Sequence, residues 1–345
     1  MPRWIDRLLR REVKHASALA LLTAGAQPGL SRDMPGLMRA GYERNAIAHR
    51  CVRLIAESAA NIRFSANKAQ VQMLLDAPGA ERSGIELWEA FYGFLLLAGN
   101  AYAEMQILDE RPREIALLRP DRIRIRPAQR GQPLRYEYMS GGKRRQVFRD
   151  PVSGRSRIFH MRLFHPGDDV YGFSPLGAAA SALDLHQAGG EWARALLANS
   201  ARPSGALIVS GEDGRLSEDQ FERLRAQISD LHAGSGNAGR PLLLEGGLDW
   251  KPMALSPSDM DFTAARREAA REIALALGVP PLLLGLPGDN TYANYKEANR
   301  AFRTQTVEPL VRKTAAALVV WLAPWFGEAL SIRPDMPSEP SEASE

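Results

Sequence analysis

The sequence predicts an α+β fold in two unlike halves. Three observations carry that expectation. Apolar residues recur at helical spacing between Asn45 and Gly99, and they alternate with polar residues between Ala101 and Phe164. From Ser174 onward the chain turns to long segments rich in alanine and glycine. A period of 3.6 marks an amphipathic helix, and a period of 2 marks a half-buried strand.

The elements follow in order. Asn45 to Ala60 places Ile47, Cys51, Leu54, Ile55 and Ser58 on one helical face, so Cys51 reads as a packed thiol. Ser83-Gly-Ile-Glu86 is a capping box ahead of Leu87, Trp88, Phe91, Leu95 and Leu96, and Gly99 stops that helix. Period-2 runs follow at Ala101–Leu108, Glu114–Leu118, Arg122–Arg126 and Leu134–Met139. Gly141-Gly142 turns the chain into Gln146–Phe148, and Arg157–Phe164 supplies a further strand. This half is a helical pair leaning on a small antiparallel sheet.

Ser174-Pro175 supplies an N-cap with proline at the first helical position, opening a helix that runs toward Ser200. Gly177 to Ala180 and Gly189-Gly190 leave it little bulk, which permits close helix approach. Gly205–Ser210, Leu242–Leu244 and Leu248–Met253 read as strands, and Ser217-Glu-Asp-Gln220 as a second capping box. A third helix, capped at Ser256–Asp259, turns Phe262, Ala265, Ala269, Ile273 and Ala276 inward. It stops at Gly278-Val-Pro280-Pro281, where glycine ends it and proline forbids its continuation. A loop from Gly285 to Asn294 precedes a last helix with Tyr295, Phe302 and Leu310 in phase and a kink expected at Pro309. Two helices of comparable length thus bracket a small αβ unit. At some 20–25 residues each they would be about 30–38 Å long, a stalk with that unit at its tip.

Composition narrows the function. The 345 residues are 45% hydrophobic and 24% charged, as in an ordinary globular protein. One cysteine excludes an intramolecular disulfide framework and a multi-cysteine zinc site. Leu318 to Leu330, the longest apolar stretch, is broken by Pro324, Gly327 and Glu328. Residues 1–26 imitate a secretory signal, but Asp6 and Glu12 and the face of Trp4, Ile5, Leu8 and Leu9 favour an amphipathic basic arm that docks on a neighbour. The net charge is only +4, yet Arg111 to Arg162 holds fifteen Lys and Arg against four acids, and Asp335 to Glu345 holds four acids and no base. In Arg122-Ile-Arg-Ile-Arg126 a strand would bury both isoleucines and aim three guanidiniums outward. With no aromatic residues between those arginines, partner docking or a solvated face is favoured over nucleic-acid contact.

Enzyme motifs fall short. Gly142-Lys143 is followed by Arg144 where a Walker A loop needs Ser or Thr. Gly234-Ser-Gly-Asn-Ala-Gly239 matches G-x-G-x-x-G, but a helix precedes it and a strand-like run follows, the reverse of what phosphate capture demands. His160 and His165, five apart in a strand-like run, would face opposite ways. Gly172-Phe-Ser174 lacks the second glycine of a nucleophile elbow. We therefore expect a non-enzyme with no metal and no cofactor.

Four stretches carry a resemblance: Tyr171-Gly-Phe-Ser-Pro-Leu-Gly177, Leu275-Ala-Leu-Gly-Val-Pro-Pro-Leu-Leu-Leu-Gly285, Thr291 to Phe302 with Thr306-Val-Glu-Pro-Leu310, and Gly99-Asn-Ala-Tyr-Ala-Glu104. Together they resemble the portal proteins of tailed double-stranded DNA bacteriophages, from about Tyr42 to Leu322. The resemblance implies a ring, usually of twelve copies, at one vertex of a phage-like head. It further implies an N-terminal arm (1–40), a wing (41–173), stem helices at 174–200 and 257–279, a clip between them (201–256), a channel loop (280–294), and a kinked helix returning to the wing or a short crown (295–330). An acidic tail (331–345) remains.

The implied partners are further copies of the chain, double-stranded DNA in the channel, a terminase packaging motor, a head-tail adaptor and the major capsid protein. Asp289, Asn290, Thr291, Tyr292, Asn294 and Lys296 would lie near DNA. Ser174, Pro175, Leu183, Phe262, Arg266, Arg267 and Ile273 would belong to the stem and ring interface, and Gly278, Pro280 and Pro281 would end the second stem helix. Because each phosphate neutralised by Lys or Arg adds affinity, an arginine-lined bore would trap DNA, so the basic block is expected to face outward. The alternatives are a basic nucleic-acid-binding protein and a membrane-surface accessory protein.

Overall fold

The computed structural model describes residues 34–128, 134–198, 205–209, 217–220, 222–223, 248–252, 262–286 and 292–336. The expected strand at Leu242–Leu244, the cap at Ser256–Asp259 and the N-terminal arm up to residue 33 lie outside them. The first helix among the described residues, α1 (Met34–Leu37), runs into a π-helical segment, Met38–Glu43. In α2 (Ala46–Ala60) the Asn45 side chain caps the start, its Oδ1 accepting from Ile47 N and Ala48 N at 3.1 Å. After β1 (Phe64–Ala66) and α3 (Ala69–Asp76) comes α4 (Gly84–Ala98), opened by the Ser83/Glu86 capping box and closed by Gly99 at φ 70°.

The sheet strands are β2 (Asn100–Leu108), β3 (Arg111–Leu118), β4 (Ile123–Arg126), β5 (Arg135–Ser140), β6 (Lys143–Phe148) and β7 (Ile158–Arg162). They form two three-stranded antiparallel sheets, ordered β3-β2-β7 and β4-β5-β6. The sequence thus leads to two small sheets where one was expected. Pro120–Arg122 forms a 3-10 turn that breaks the chain between β3 and β4.

The wing core lies among α2, α4, the β3-β2-β7 sheet and the last long helix. Phe91 of α4 stacks on Phe159 of β7 with centroids 5.4 Å apart, and Phe159 stacks on Trp321 at 5.0 Å. Ile55, Leu95, Leu318 and Leu322 are fully buried around that column, each contributing about 1.5–3 kcal/mol by burial. Cys51 sits inside the same core, and burial pushes its thiol up to about 12, the state of an inert packed group. A second, smaller core joins Tyr102, Leu118 and Ile158 to Ile123, Ile125, Tyr136 and Val147, the inner face of the β4-β5-β6 sheet.

Beyond the wing, α5 (Pro175–Ala178) and α6 (Ala180–Ala198) replace the single helix expected from Ser174. The break falls at Ala179, where the fully buried Leu176 is seated against Gly41 and Phe173 lies over Gly177. This tertiary anchoring sets the first turn apart from the helix that follows. Strands β8 (Gly205–Val209) and β9 (Leu248–Pro252) pair antiparallel from Gly205↔Pro252 to Val209↔Leu248, and α7 (Phe262–Ala276) returns alongside α6. The capping box at Ser217 is present, with Ser217 N donating to Gln220 Oε1 (3.0 Å) and Gln220 N donating to Ser217 Oγ (3.3 Å).

The final run is α8 (Tyr292–Ala301), a π-helical segment (Phe302–Val307) and α9 (Glu308–Phe326), followed by β10 (Ile332–Pro334), which pairs with β1. Two expectations change here. Tyr292 and Asn294, expected in the loop, begin α8. The expected kink at Pro309 appears as a six-residue π segment just before it, with Glu308 N bonding back to Arg303 O. Lacking an N–H, Pro309 cannot close its own helical bond, and the wider turn absorbs the misfit. Tyr295 is half exposed where an inward phase was expected, while Phe302 is buried.

Candidate functional site

Three junctions fix how the stem leaves the wing. Asn100, at the start of β2, is held on all sides. Its Nδ2 donates to Ala98 O (2.9 Å) and Gly172 O (3.1 Å), and its Oδ1 accepts from Gly172 N (2.8 Å) and His160 Nε2 (3.1 Å). A Cβ on Gly172 would lie 2.1 Å from Gly99 O, so only glycine allows the two backbones this approach. His160 stacks on Tyr102 at 4.4 Å, and burial, with Arg162 nearby, depresses its pKa to about 4. His160 is therefore a neutral donor inside the wing. The Gly99–Glu104 and Tyr171–Gly177 stretches, far apart in sequence, are the two sides of this one joint.

At the second junction Ser174 is buried as the cap of α5, its Oγ accepting from Leu176 N (3.1 Å) and donating to Leu96 O (2.8 Å). Pro175 occupies the first turn behind it. At the third, Gly278 ends α7 at φ 70°, and its carbonyl accepts from Thr306 Oγ1 at 2.6 Å. Pro280 and Pro281 then lead into the 3-10 turn Pro281–Leu284. The helix stop at Gly278, Pro280 and Pro281 is therefore also the contact with the π segment.

Within the stem, Leu183 and Ile273 are buried at 1% and 0% exposure and belong to the main apolar core. Arg266 of α7 lies across Gly189 and Gly190 of α6, and a Cβ on Gly189 would stand 2.7 Å from its Cγ. The glycine pair was expected to let the helices approach closely; it also makes room for a guanidinium stem. Arg267 is exposed, as are Glu268 and Glu272 on the same helix. Phe262 starts α7, and its side chain lies outside the described residues.

The loop is only partly described. Asp289, Asn290 and Thr291 lie outside the described residues; Tyr292 opens α8, and Asn294 and Lys296 lie on that helix, exposed. Pro281–Leu284 and the left-handed Gly285 lead the chain toward it from the base of α7.

The basic block is a built surface in the second sheet. On its outer face Arg126, Arg135 and Arg144 surround the buried Glu137 carboxylate at 3.5, 3.5 and 4.0 Å. From the inner side Arg145 reaches across to the buried Glu104 of β2, hydrogen-bonding both carboxylate oxygens. Sequence reasoning missed these two glutamates. For Glu137 the nearby Arg135 was a signal; Glu104, flanked by Ala103 and Met105, offered none. Among the described residues no group of three His, Cys, Asp or Glu side chains is placed to hold a metal ion.

A wing of helices and two small sheets, joined by glycine-tight hinges to a helical pair that carries a strand pair between its arms, is the architecture of a portal-type subunit. The family profile described as "Phage portal protein" matches residues 46–339, and the chain belongs to that family. It is 43% identical over 300 residues to an uncharacterized protein of Rickettsia bellii, covering 84% of this chain and 77% of that one. It is 25% identical over 257 residues to the portal protein of Enterobacteria phage HK97, covering 73% and 58%. Among solved structures it is similar to a chain of the neck of a native gene transfer agent particle computed with C12 symmetry, with TM-score 0.69, 46% identity and coverage of 93% and 89%.

Proposed function

We infer that this chain is the structural portal of a phage-like particle, a ring of twelve copies at the head-to-tail vertex through which double-stranded DNA enters and leaves. The twelvefold symmetry of the similar gene transfer agent neck carries this reading, together with the family match. The same similarity supports a place in the assembled particle; in this reading assembly takes place in the bacterial cytoplasm.

In this reading α6 and α7 stand as struts around the bore, and the strand pair β8/β9 with its neighbours forms the clip facing the packaging motor and then the head-tail adaptor. The segment from Leu286 to Lys296 lies against DNA, and the wing meets the capsid. The subunit performs no chemistry of its own; a separate terminase supplies the motor. A duplex carries about one negative charge per 1.7 Å, so a bore that lets it slide must avoid a dense ring of cations. The loop and the start of α8 are polar and close to neutral, whereas the arginines are gathered on a wing sheet and partly compensated there by Glu137 and Glu104. Alternation of polar groups with one cation, Lys296, suits transient contacts.

Electron microscopy of the purified chain and of particles containing it tests this. The expected result is an annulus with the 286–296 segment toward the hole and the Arg111–Arg162 sheet at the periphery. A monomeric particle mass together with salt-sensitive DNA binding by single copies would overturn the reading in favour of a basic nucleic-acid-binding protein.

A further inference from the structure

The outer face of the β4-β5-β6 sheet is unevenly charged. Pairing places Arg124 opposite Glu137 and Gln146, Arg126 opposite Arg135 and Phe148, and Met139 opposite Arg144, all on one side, because directly paired residues of an antiparallel sheet share a face. Among the described residues this face carries four arginines and one glutamate, a net charge of +3. Arg124, Arg126 and Arg144 are exposed, and so are Phe148 (49%) and Met139 (41%).

The sequence holds a matching segment. Residues 337–345 read Pro-Ser-Glu, Pro-Ser-Glu, Ala-Ser-Glu, a triplet repeat with carboxylates at Glu339, Glu342 and Glu345. Proline favours an extended left-handed helix of three residues per turn, in which every third side chain lies along one edge. At about 3.1 Å per residue the three carboxylates then recur every ~9.3 Å. Neighbouring strands lie about 4.8 Å apart, so the arginine rows of β4 and β6, separated by β5, are ~9.6 Å apart. The step between two successive carboxylates matches that separation. The basic segment 1–26 would be repelled by this face.

Met336, directly before the repeat, packs on the wing core. The end of α9 touches the loop that follows β6, where Arg155 Nε donates to Pro324 O at 2.9 Å and its guanidinium lies 5.0 Å from the Trp325 ring. Nine extended residues reach about 30 Å.

We propose that the acidic triplet segment Pro337–Glu345 of this chain docks across the arginine face of the β4-β5-β6 sheet, with two successive glutamates spanning the β4 and β6 arginines. The pairing is exposed and therefore screened by salt, and it owes its strength to the high effective concentration of a tethered segment. It does not rest on the DNA-conduit reading, because it is a property of the chain whatever it assembles into.

Two measurements test it. In the full-length Arg144→Lys variant, treatment with a zero-length carbodiimide followed by mass spectrometry should yield a link between residue 144 and Glu339, Glu342 or Glu345. In the second, a fluorescein-labelled peptide of residues 335–345 is titrated by anisotropy at low salt against the chain ending at Met336. It should bind at least tenfold more tightly than the same peptide with its three glutamates changed to glutamine, and at least tenfold more tightly than to the Arg124→Glu/Arg144→Glu variant. Equal binding of the glutamine peptide, or links from the tail only to lysines outside this sheet, overturns the proposal. So does a short DNA duplex that binds these arginines while the peptide does not, which would assign the face to nucleic acid. Ring formation, read separately by particle mass, distinguishes this failure from failure of the portal reading.

Discussion

Gly189 of α6 and Arg266 of α7 occupy one place in the stem: a Cβ on the glycine would stand 2.7 Å from Cγ and 3.0 Å from Cδ of the arginine. A glycine inside a 19-residue helix costs about 1 kcal/mol in propensity against alanine. Here that cost is offset by the room it gives the neighbouring side chain.

The sign of a Gly189→Ala substitution should therefore depend on residue 266. With Arg266 in place we expect a loss of about 1–2 kcal/mol, because overpacking costs exceed the propensity gain. In an Arg266→Ala background the same change should stabilise by about 1 kcal/mol. Urea denaturation of the four-member cycle reads both values.

Asn100 satisfies all of its donors and acceptors on Ala98, Gly172 and His160. Asn100→Ala strands the buried Gly172 amide and the His160 donor, and unpaired buried polar groups cost about 1–3 kcal/mol each. We expect a loss of about 2–4 kcal/mol and a stem loosened from the wing. Hydrogen exchange should show lost protection at Gly172 and Leu163, whose amides bond across this joint.

His160 gives stability a defined pH dependence. Desolvation lowers its folded pKa from 6.5 to about 4, so the folded state binds fewer protons than the unfolded chain in that window. The contribution is full above pH 6.5 and is lost as pH falls toward 4, by about 3 kcal/mol in all. His160→Phe keeps a ring against Tyr102 and should flatten this part of the profile. Denaturation midpoints at pH 7 and pH 4.5 for both proteins check it.

Gly278→Ala should be costly twice over. The position has φ 70°, strained by about 1–3 kcal/mol for a side-chain-bearing residue, and the added carbon would lie 2.9 Å from Thr306 Oγ1. Thr306→Val removes only the bond to the Gly278 carbonyl and should cost about 1 kcal/mol. If the DNA-conduit reading holds, Gly278→Ala also shifts the path into α8, and particles carrying it should package less DNA than those with Thr306→Val.

Much of the chain was legible in its pattern. The Ser83/Glu86 box, the Gly99 stop, the alternation that buries Ile123 and Ile125, and the Ser174 cap depend on residues a few positions apart, and local chemistry determines them. The misses have a shared cause. One helix became α5 and α6 because Leu176 docks against Gly41, more than a hundred residues away. Glu104 and Glu137 looked like ordinary polar strand positions until the sheets brought arginines over them.

By itself the sequence determined the α+β class, the order of the elements, the helix caps and stops, and the resemblance that led to the family, because these follow from side-chain spacing and turn chemistry along the chain. Only the tertiary structure decided that the Gly99–Glu104 and Tyr171–Gly177 stretches form one joint, that Thr306 closes on Gly278, and that Arg266 fills the space left by Gly189. Each of those depends on two segments approaching within hydrogen-bond or van der Waals distance across 28 to more than 70 residues of chain.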